Sequence, residues 1–216
     1  GFNAIQDIQN PDLYANYSEE SVLKALKDMN EMDIDYKIIS IHWGDEFINI
    51  PSLKQIESAH KFIESGADII VGHHPHVVQP VERYKSGLIF YSLGNFMFDM
   101  IWSKNVRRGI IANLILEKGE EIKVDIIPII IGRNYIPGKI NNGKKEEYFQ
   151  KNFGNIPLLS ECYLKKYQNY YEKKRKINRL YQRIMMKIFL LKHLDNLSNM
   201  TIRIMLKKLN RRIQTD

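Results

Sequence analysis

Two periodicities of apolar residues alternate along this chain, and the switches between them mark its elements. Val22, Leu23, Leu26 and Met29 recur at helical spacing behind Ser18, a capping side chain, with Glu19 and Glu20 in the first turn where the helix dipole favours acids. The pattern predicts a helix to about Met32. Residues 36–41 are short and β-branched, as a largely buried strand is. A second predicted helix starts near Pro51-Ser52, sets Leu53, Ile56, Ala59 and Ile63 on one face, and stops at Gly66, the residue best able to take a left-handed cap. Residues 67–71 read as the next strand. Strand, helix and strand of these lengths form a right-handed βαβ unit, so the carboxyl ends of the two parallel strands share one edge.

Beyond residue 76 the pattern turns to hairpins: residues 77–84 and 88–91 flank Lys85-Ser86-Gly87, and residues 110–116 and 122–131 flank Lys118-Gly119-Glu120. A parallel unit followed by hairpins predicts a layered α/β fold with at least one helix-covered face. Pro137-Gly138-Lys139-Ile140-Asn141-Asn142-Gly143 is a dense turn cluster. The expected organisation is therefore an α/β domain over 1–136, a linker over 137–157 and a helical tail over 158–216. In that tail Tyr163, Tyr167, Tyr170 and Tyr171, then Ile177, Leu180, Ile184, Ile188 and Leu191, recur at helical spacing among lysines and arginines.

Charge sharpens the division. Residues 1–150 hold 16 basic and 21 acidic side chains, and residues 151–216 hold 16 and 4, so the basic character belongs to the tail. A basic amphipathic tail suits an anionic lipid surface or an acidic polymer; nucleic acid is the weaker reading because no reading motif accompanies the charge. Helices packing on their own domain with a solvated basic face are the plainer alternative, and the preferred one. The apolar content excludes wholesale disorder. The single cysteine, Cys162, excludes an intrachain disulfide framework and a multi-cysteine zinc or iron–sulfur site. No stretch approaches the ~18 consecutive apolar residues of a membrane span, and the N-terminus lacks the pattern of a secretory signal. The start at Gly1 rather than methionine suggests a fragment.

Five of the six histidines lie between positions 42 and 76. His42 follows the first strand of the βαβ unit, and His73, His74 and His76 follow the second. Parallel α/β sheets bind ligands at the carboxyl ends of their strands, and neutral imidazole is the commonest metal ligand. The His-His-Pro-His run with His42 therefore reads as a metal or phosphate site. His60, on a helix face, and His193, in the tail, read as ordinary polar residues. Glu46 reads equally as an acceptor that fixes an imidazole tautomer or as an exposed loop acid. Asn95, in Ser92-Leu93-Gly94-Asn95-Phe96, presents an amide that suits an oxyanion or a metal-bound water, or else a plain turn.

Three blocks carry a resemblance: Ile39-Ser40-Ile41-His42-Trp43-Gly44-Asp45-Glu46, then Gly66-Ala67-Asp68-Ile69-Ile70-Val71-Gly72-His73-His74-Pro75-His76-Val77-Val78-Gln79-Pro80, then Phe90-Tyr91-Ser92-Leu93-Gly94-Asn95-Phe96-Met97-Phe98-Asp99. Together they resemble the C-terminal half of the CapA family, bacterial capsule and poly-γ-glutamate synthesis proteins related to calcineurin-like metallophosphoesterases. The resemblance implies a partial layered sandwich of sheets flanked by helices, with two divalent metal ions at the strand ends in the full-length protein. It implies metal ligation by His42, His74 and His76, with His73 a neighbour and with Glu46 and Asn95 in family motifs without an assigned role. It also implies an acidic cell-surface polymer or its synthesis machinery as partner, and the cell envelope as location. The aspartates and further histidines that complete such a site upstream are not found here, because residues 1–41 contain no histidine. A two-metal hydrolytic centre needs a bridging carboxylate, so this chain alone is expected to be inactive or incompletely metallated.

Overall fold

The computed structural model describes residues 2–3, 15–140 and 161–192, and its α/β part is layered helix on sheet on sheet. Phe2–Asn3 (β1) and Ala15–Asn16 (β2) begin the larger sheet. Helix α1, Glu19–Asn30, starts at Ser18, whose hydroxyl accepts from the Ser21 amide at 2.9 Å. Strand β3 is Ile38–His42, helix α2 is Leu53–Glu64 and strand β4 is Ile69–His73. Val81–Tyr84 (β5) and Gly87–Phe90 (β6) form the first hairpin. Arg108–Ile115 (β7), Lys123–Ile131 (β8) and Pro137–Lys139 (β9) form a separate antiparallel sheet.

The six-stranded sheet runs β2-β1-β3-β4-β6-β5, with every neighbouring pair parallel except β6 and β5. The βαβ unit is present as the periodicity predicts: β3 and β4 are parallel neighbours with Ile39 opposite Ile70 and Ile41 opposite Gly72. Period-two alternation divides its apolar residues between two cores. Ile39, Ile41, Ile70, Ile89 and Tyr91 pack against Val22, Leu26, Ile56, Ala59, Phe62 and Ile63 of the two helices. Ile69, Leu88 and Phe90 point the other way, onto Ile110 of the smaller sheet and Ile122 just before β8. Each of these buried aliphatic or aromatic side chains contributes about 1.5–3 kcal/mol relative to exposure, so the sandwich holds through both faces of one sheet.

Two details depart from the pattern. Strand β4 runs on to His73 rather than ending at Val71, because His42 and His73 still pair across the ladder. The segment read as a linker opens with β9, where Pro137 stands at the first position of an edge strand, the place in a sheet that tolerates a missing amide donor. The remainder of that linker, residues 141–157, lies outside the described residues.

A long helix, α3 (Glu161–Lys192), covers part of the tail; the expected tail residues 158–160 and 193–216 lie outside the described residues. Of the residues that recur at helical spacing, Tyr167 and Tyr171 dock on the domain and the aliphatic ones do not. Tyr171 is buried, its hydroxyl donating to Asp45 at 2.8 Å, and Tyr167 donates to the Pro51 carbonyl at 2.7 Å. Asn178 reaches the Phe47 carbonyl, Gln182 accepts from the Trp102 indole at 2.9 Å, and Arg179 donates to Asp45 at 2.9 Å. Ile177, Leu180, Ile184, Ile188 and Leu191 are exposed instead. The loops that α3 meets offer carbonyls and a carboxylate, and a polar helix face satisfies them where an apolar one would leave them unpaired.

Candidate metal and ligand site at the histidine edge

Strands β3 and β4 end on the same edge of the sheet, with His42 and His73 directly opposite. The chain then leaves β4 through two residues with positive φ, His74 at 97° and His76 at 56°, while Phe47 in the facing loop has φ 67°. Side chains with a Cβ occupy this region at a cost of about 1–3 kcal/mol each, so packing and hydrogen bonds must hold the turn. The turn brings the His74 ring back onto β3: His42 Nε2 and His74 Nδ1 lie 2.9 Å apart, one ring nitrogen donating and the other accepting. The ring centroids of His42 and His74 are 4.6 Å apart, and those of His74 and His76 are 5.9 Å apart. Histidines 42, 74 and 76 thus gather at one edge.

Asn95 fixes the third ring. Its side chain is buried, its amide NH2 donates to the carbonyls of Val106 at 2.8 Å and His76 at 3.3 Å, and its Oδ1 faces His76 Nδ1 at 2.9 Å. An amide oxygen can only accept, so the proton of His76 sits on Nδ1 and leaves Nε2 with its lone pair. With both its donors given to carbonyls, Asn95 acts on the imidazole and is not aimed at an oxyanion. The Gly94 turn places it: Gly94 has φ 72° and bridges Gly109 of β7, where a Cβ would run into the Asn95 carbonyl oxygen.

Half-buried Glu46 adds a charge that favours protonated His42, the weakest of the influences on that ring. His73 is half-buried beside the cluster, and burial holds its pKa below the ordinary value. His60 lies away from the edge, stacked on Tyr84 with ring centroids 3.6 Å apart and bonded to Glu82 at 3.0 Å, a satisfied structural pairing. His193 lies outside the described residues.

Two glutamines carry a role that sequence reading missed. Gln79, fully buried, donates to the carbonyls of Ile48 at 2.8 Å and Ile50 at 3.0 Å, and so pins the loop that follows His42. Gln55 donates to Gln79 at 3.3 Å and accepts from the Ser52 amide at 2.9 Å as the partner in a capping box. Ser52-x-x-Gln55 was a legible capping signal. Gln79 stood in a family block, but nothing in the periodicity marked its role.

Burial, with the neighbouring imidazoles of His74, His76 and His73 adding to it, pushes His42 down to about 4. A neutral ring keeps its lone pair at neutral pH, which both a hydrogen bond and a metal require. For the metal-free chain the sign follows from linkage. Unfolded His42 takes up a proton near its ordinary value of about 6.5 and the folded ring does not, so stability should fall progressively as pH drops from there toward about 4. Urea unfolding in the presence of a chelator at several pH values reads this slope, and His42→Asn should flatten it. An unchanged slope in that variant would remove His42 as its source.

The donor set bears on what ion the edge takes. Two imidazole nitrogens 2.9 Å apart are close enough to share one cation at ligand distances of about 2.0–2.1 Å. Among the described residues, however, no group of three or more His, Cys, Asp or Glu side chains is arranged to hold a metal ion. The edge therefore fits part of one coordination shell. It does not fit a two-metal centre, since no bridging carboxylate among the described residues stands between the rings.

Comparison with known proteins places part of the chain among capsule biosynthesis proteins. Residues 3–100 match the family described as bacterial capsule synthesis protein PGA_cap. The chain is 40% identical over 122 residues to the capsule biosynthesis protein CapA of Bacillus anthracis, a match covering 56% of this chain and 28% of that protein. It is 42% identical over 97 residues to the PGA biosynthesis protein CapA of Bacillus subtilis, covering 45% and 25%. A probable polyglutamine synthesis accessory protein of Mycobacterium tuberculosis is 32% identical over 65 residues, covering 30% and 17%. The matched stretches span about a quarter of the length of the two CapA proteins. All six histidine-edge positions, from His42 to Asn95, fall inside the family match. Residues 3–100 thus match the bacterial capsule synthesis protein family and are consistent with a partial CapA domain.

Proposed function

We propose that this chain serves the biosynthesis of an anionic capsule polymer of the poly-γ-glutamate type, at the cell envelope, and that its histidine edge holds a divalent cation there. The single observation that carries the cation is the convergence of His42 Nε2 and His74 Nδ1 at 2.9 Å on a turn held at positive φ. A strained turn that brings a second imidazole against the ring of His42 is costly for a merely structural contact. His42 and His74 would hold the ion, with His76 beside them in the tautomer that Asn95 sets. When bound, such an ion supplies a Lewis acid to a phosphoryl or carboxylate oxygen.

The described residues bring two imidazoles into contact and keep a third close by. The reading therefore stops at cation and anion binding and assigns this chain no hydrolytic step. Polymer assembly without turnover is accordingly kept as an equal use of the same edge.

The test is calorimetric titration of the chain with Zn2+ and with Mn2+. His42→Ala and His74→Ala should each weaken binding at least tenfold, since either removes one of two converging ligands. His60→Ala, away from the edge, should leave it unchanged. Equal affinity across all three variants would refute the assignment. Turnover of a generic phosphodiester by metal-loaded chain would show that carboxylates outside the edge complete a catalytic site.

A further inference from the structure

Helix α3 presents to solvent a face that the core does not use. Tyr171, Asn178 and Gln182 point at the domain, and residues two positions away sit about 200° round the helix at 3.6 residues per turn. Ile177, Leu180, Ile184, Ile188 and Leu191 fall there in the three-and-four spacing of a single stripe, with Leu180 61% and Leu191 69% exposed. Lys173, Lys176, Arg183 and Lys187 are exposed along the same helix, and residues 161–192 contain ten basic side chains against two acidic ones. The neighbouring loop is apolar as well: Phe96, Met97 and Phe98 are exposed, and Trp102 in the same loop packs near Phe189 of α3 with ring centroids 6.5 Å apart.

We propose that the outward face of α3 docks this protein onto the surface of an anionic lipid bilayer. An apolar stripe bordered by lysine and arginine is the pattern of a helix that lies in the interface, its apolar side among the acyl chains and its cations among the headgroups. No described helix is long and apolar enough to cross a membrane, so the contact is with a surface. Charge separates this occupant from the others. A soluble polyanion would satisfy the lysines and leave the stripe wet. A second copy of α3 would set like charges against each other. Residues 193–216 carry five basic and two acidic side chains, so they too bring the wrong sign.

The experiment is cosedimentation of the whole chain with vesicles of phosphatidylcholine and with vesicles of equal parts phosphatidylcholine and phosphatidylglycerol. Binding is expected to the anionic vesicles and to weaken with salt. The combined variant Leu180→Gln, Ile184→Gln, Ile188→Gln keeps good helix formers and leaves the docked face untouched, and it should bind at least tenfold more weakly. Lys173→Gln, Lys176→Gln, Lys187→Gln should erase the preference for the anionic lipid. Circular dichroism checks that both remain helical. Should the first variant not fold, Ile184→Trp gives an independent reading: its emission should shift to the blue on anionic vesicles and be quenched by brominated lipid. The proposal is overturned if the chain ignores anionic vesicles, or if the glutamine variant binds them as well as the parent does. It is also overturned if soluble polyglutamate competes fully and binds that variant equally, or if sedimentation shows a dimer that the same variant abolishes.

Discussion

Replacing Gly72 by alanine should destabilise the fold by about 3–5 kcal/mol, the sum of overpacking and a broken buried hydrogen bond. The indole of buried Trp43 donates to the Tyr91 carbonyl at 3.0 Å directly across this glycine. A Cβ at position 72 would meet that carbonyl oxygen and stand 2.6 Å from the indole nitrogen. Neither neighbour can retreat cheaply. Tyr91 is anchored at its other end by a 2.7 Å bond to Glu82, and Trp43 is stacked on the Tyr91 ring. The main chain of Gly72 is itself paired on both sides, with Ile41 of β3 and with the Leu93 amide. The cost comes from space, since Gly72 does not have a positive φ. Gly119 supplies the contrast, with φ 83° and nothing within 4 Å of the place a methyl would take, so Gly119→Ala should cost only about 1–2 kcal/mol of backbone strain. Urea unfolding of the two variants decides the matter through their midpoints at unchanged slope. Equal losses would mean that β3, β4 and the following strand slide apart easily, against the geometry around Trp43.

Much of the architecture was legible because the signals were local. Ser18 and Ser52 cap the helices that their positions announce, Gly66 takes φ 104° after α2, and the alternation in β3, β4 and β6 sorts residues to two cores as period two demands. The meeting of His42 with His74 was legible at one remove, through the handedness of a βαβ crossover. What escaped was set by long-range partners. Gln79 looks like any loop amide until the carbonyls of Ile48 and Ile50 arrive beside it. The orientation of α3 escaped for a related reason: periodicity reports which residues share a face, and apolar faces are assumed to point inward. Here the loops beneath the helix expose Asp45 and the carbonyls of Phe47 and Pro51, so tyrosine, asparagine and arginine win the inner face.

That inner face sets the second large effect. Tyr171→Ala should detach α3 from the domain at a cost of about 3–5 kcal/mol, the usual range for emptying a buried aromatic site. Tyr171 is 2% exposed, its hydroxyl is bonded to Asp45, and burial together with that carboxylate holds its pKa above the ordinary tyrosine value. Its removal also leaves Asp45 to Arg179 at 2.9 Å and Arg175 at 3.5 Å, both partly solvated pairs that contribute little alone. The loss should be local. Tyr171 belongs to neither of the two main cores, which close around α1, α2 and the two sheets without it. Hydrogen exchange separates local from global opening: amides of α3 should exchange about a hundred- to a thousandfold faster in the variant, while those of β3 and β4 keep their protection. Tyr171→Phe retains the ring and loses only a hydrogen bond to a charged group, about 1.5–3 kcal/mol, so its α3 amides should fall between parent and alanine variant. The loop after His42 should loosen with the helix, because Asp45, Phe47 and Pro51 all lose partners there. Equal acceleration in α3 and in β3 would show that the helix is an integral part of the sandwich, and the picture of a docked arm tied to the histidine loop through Asp45 would be wrong.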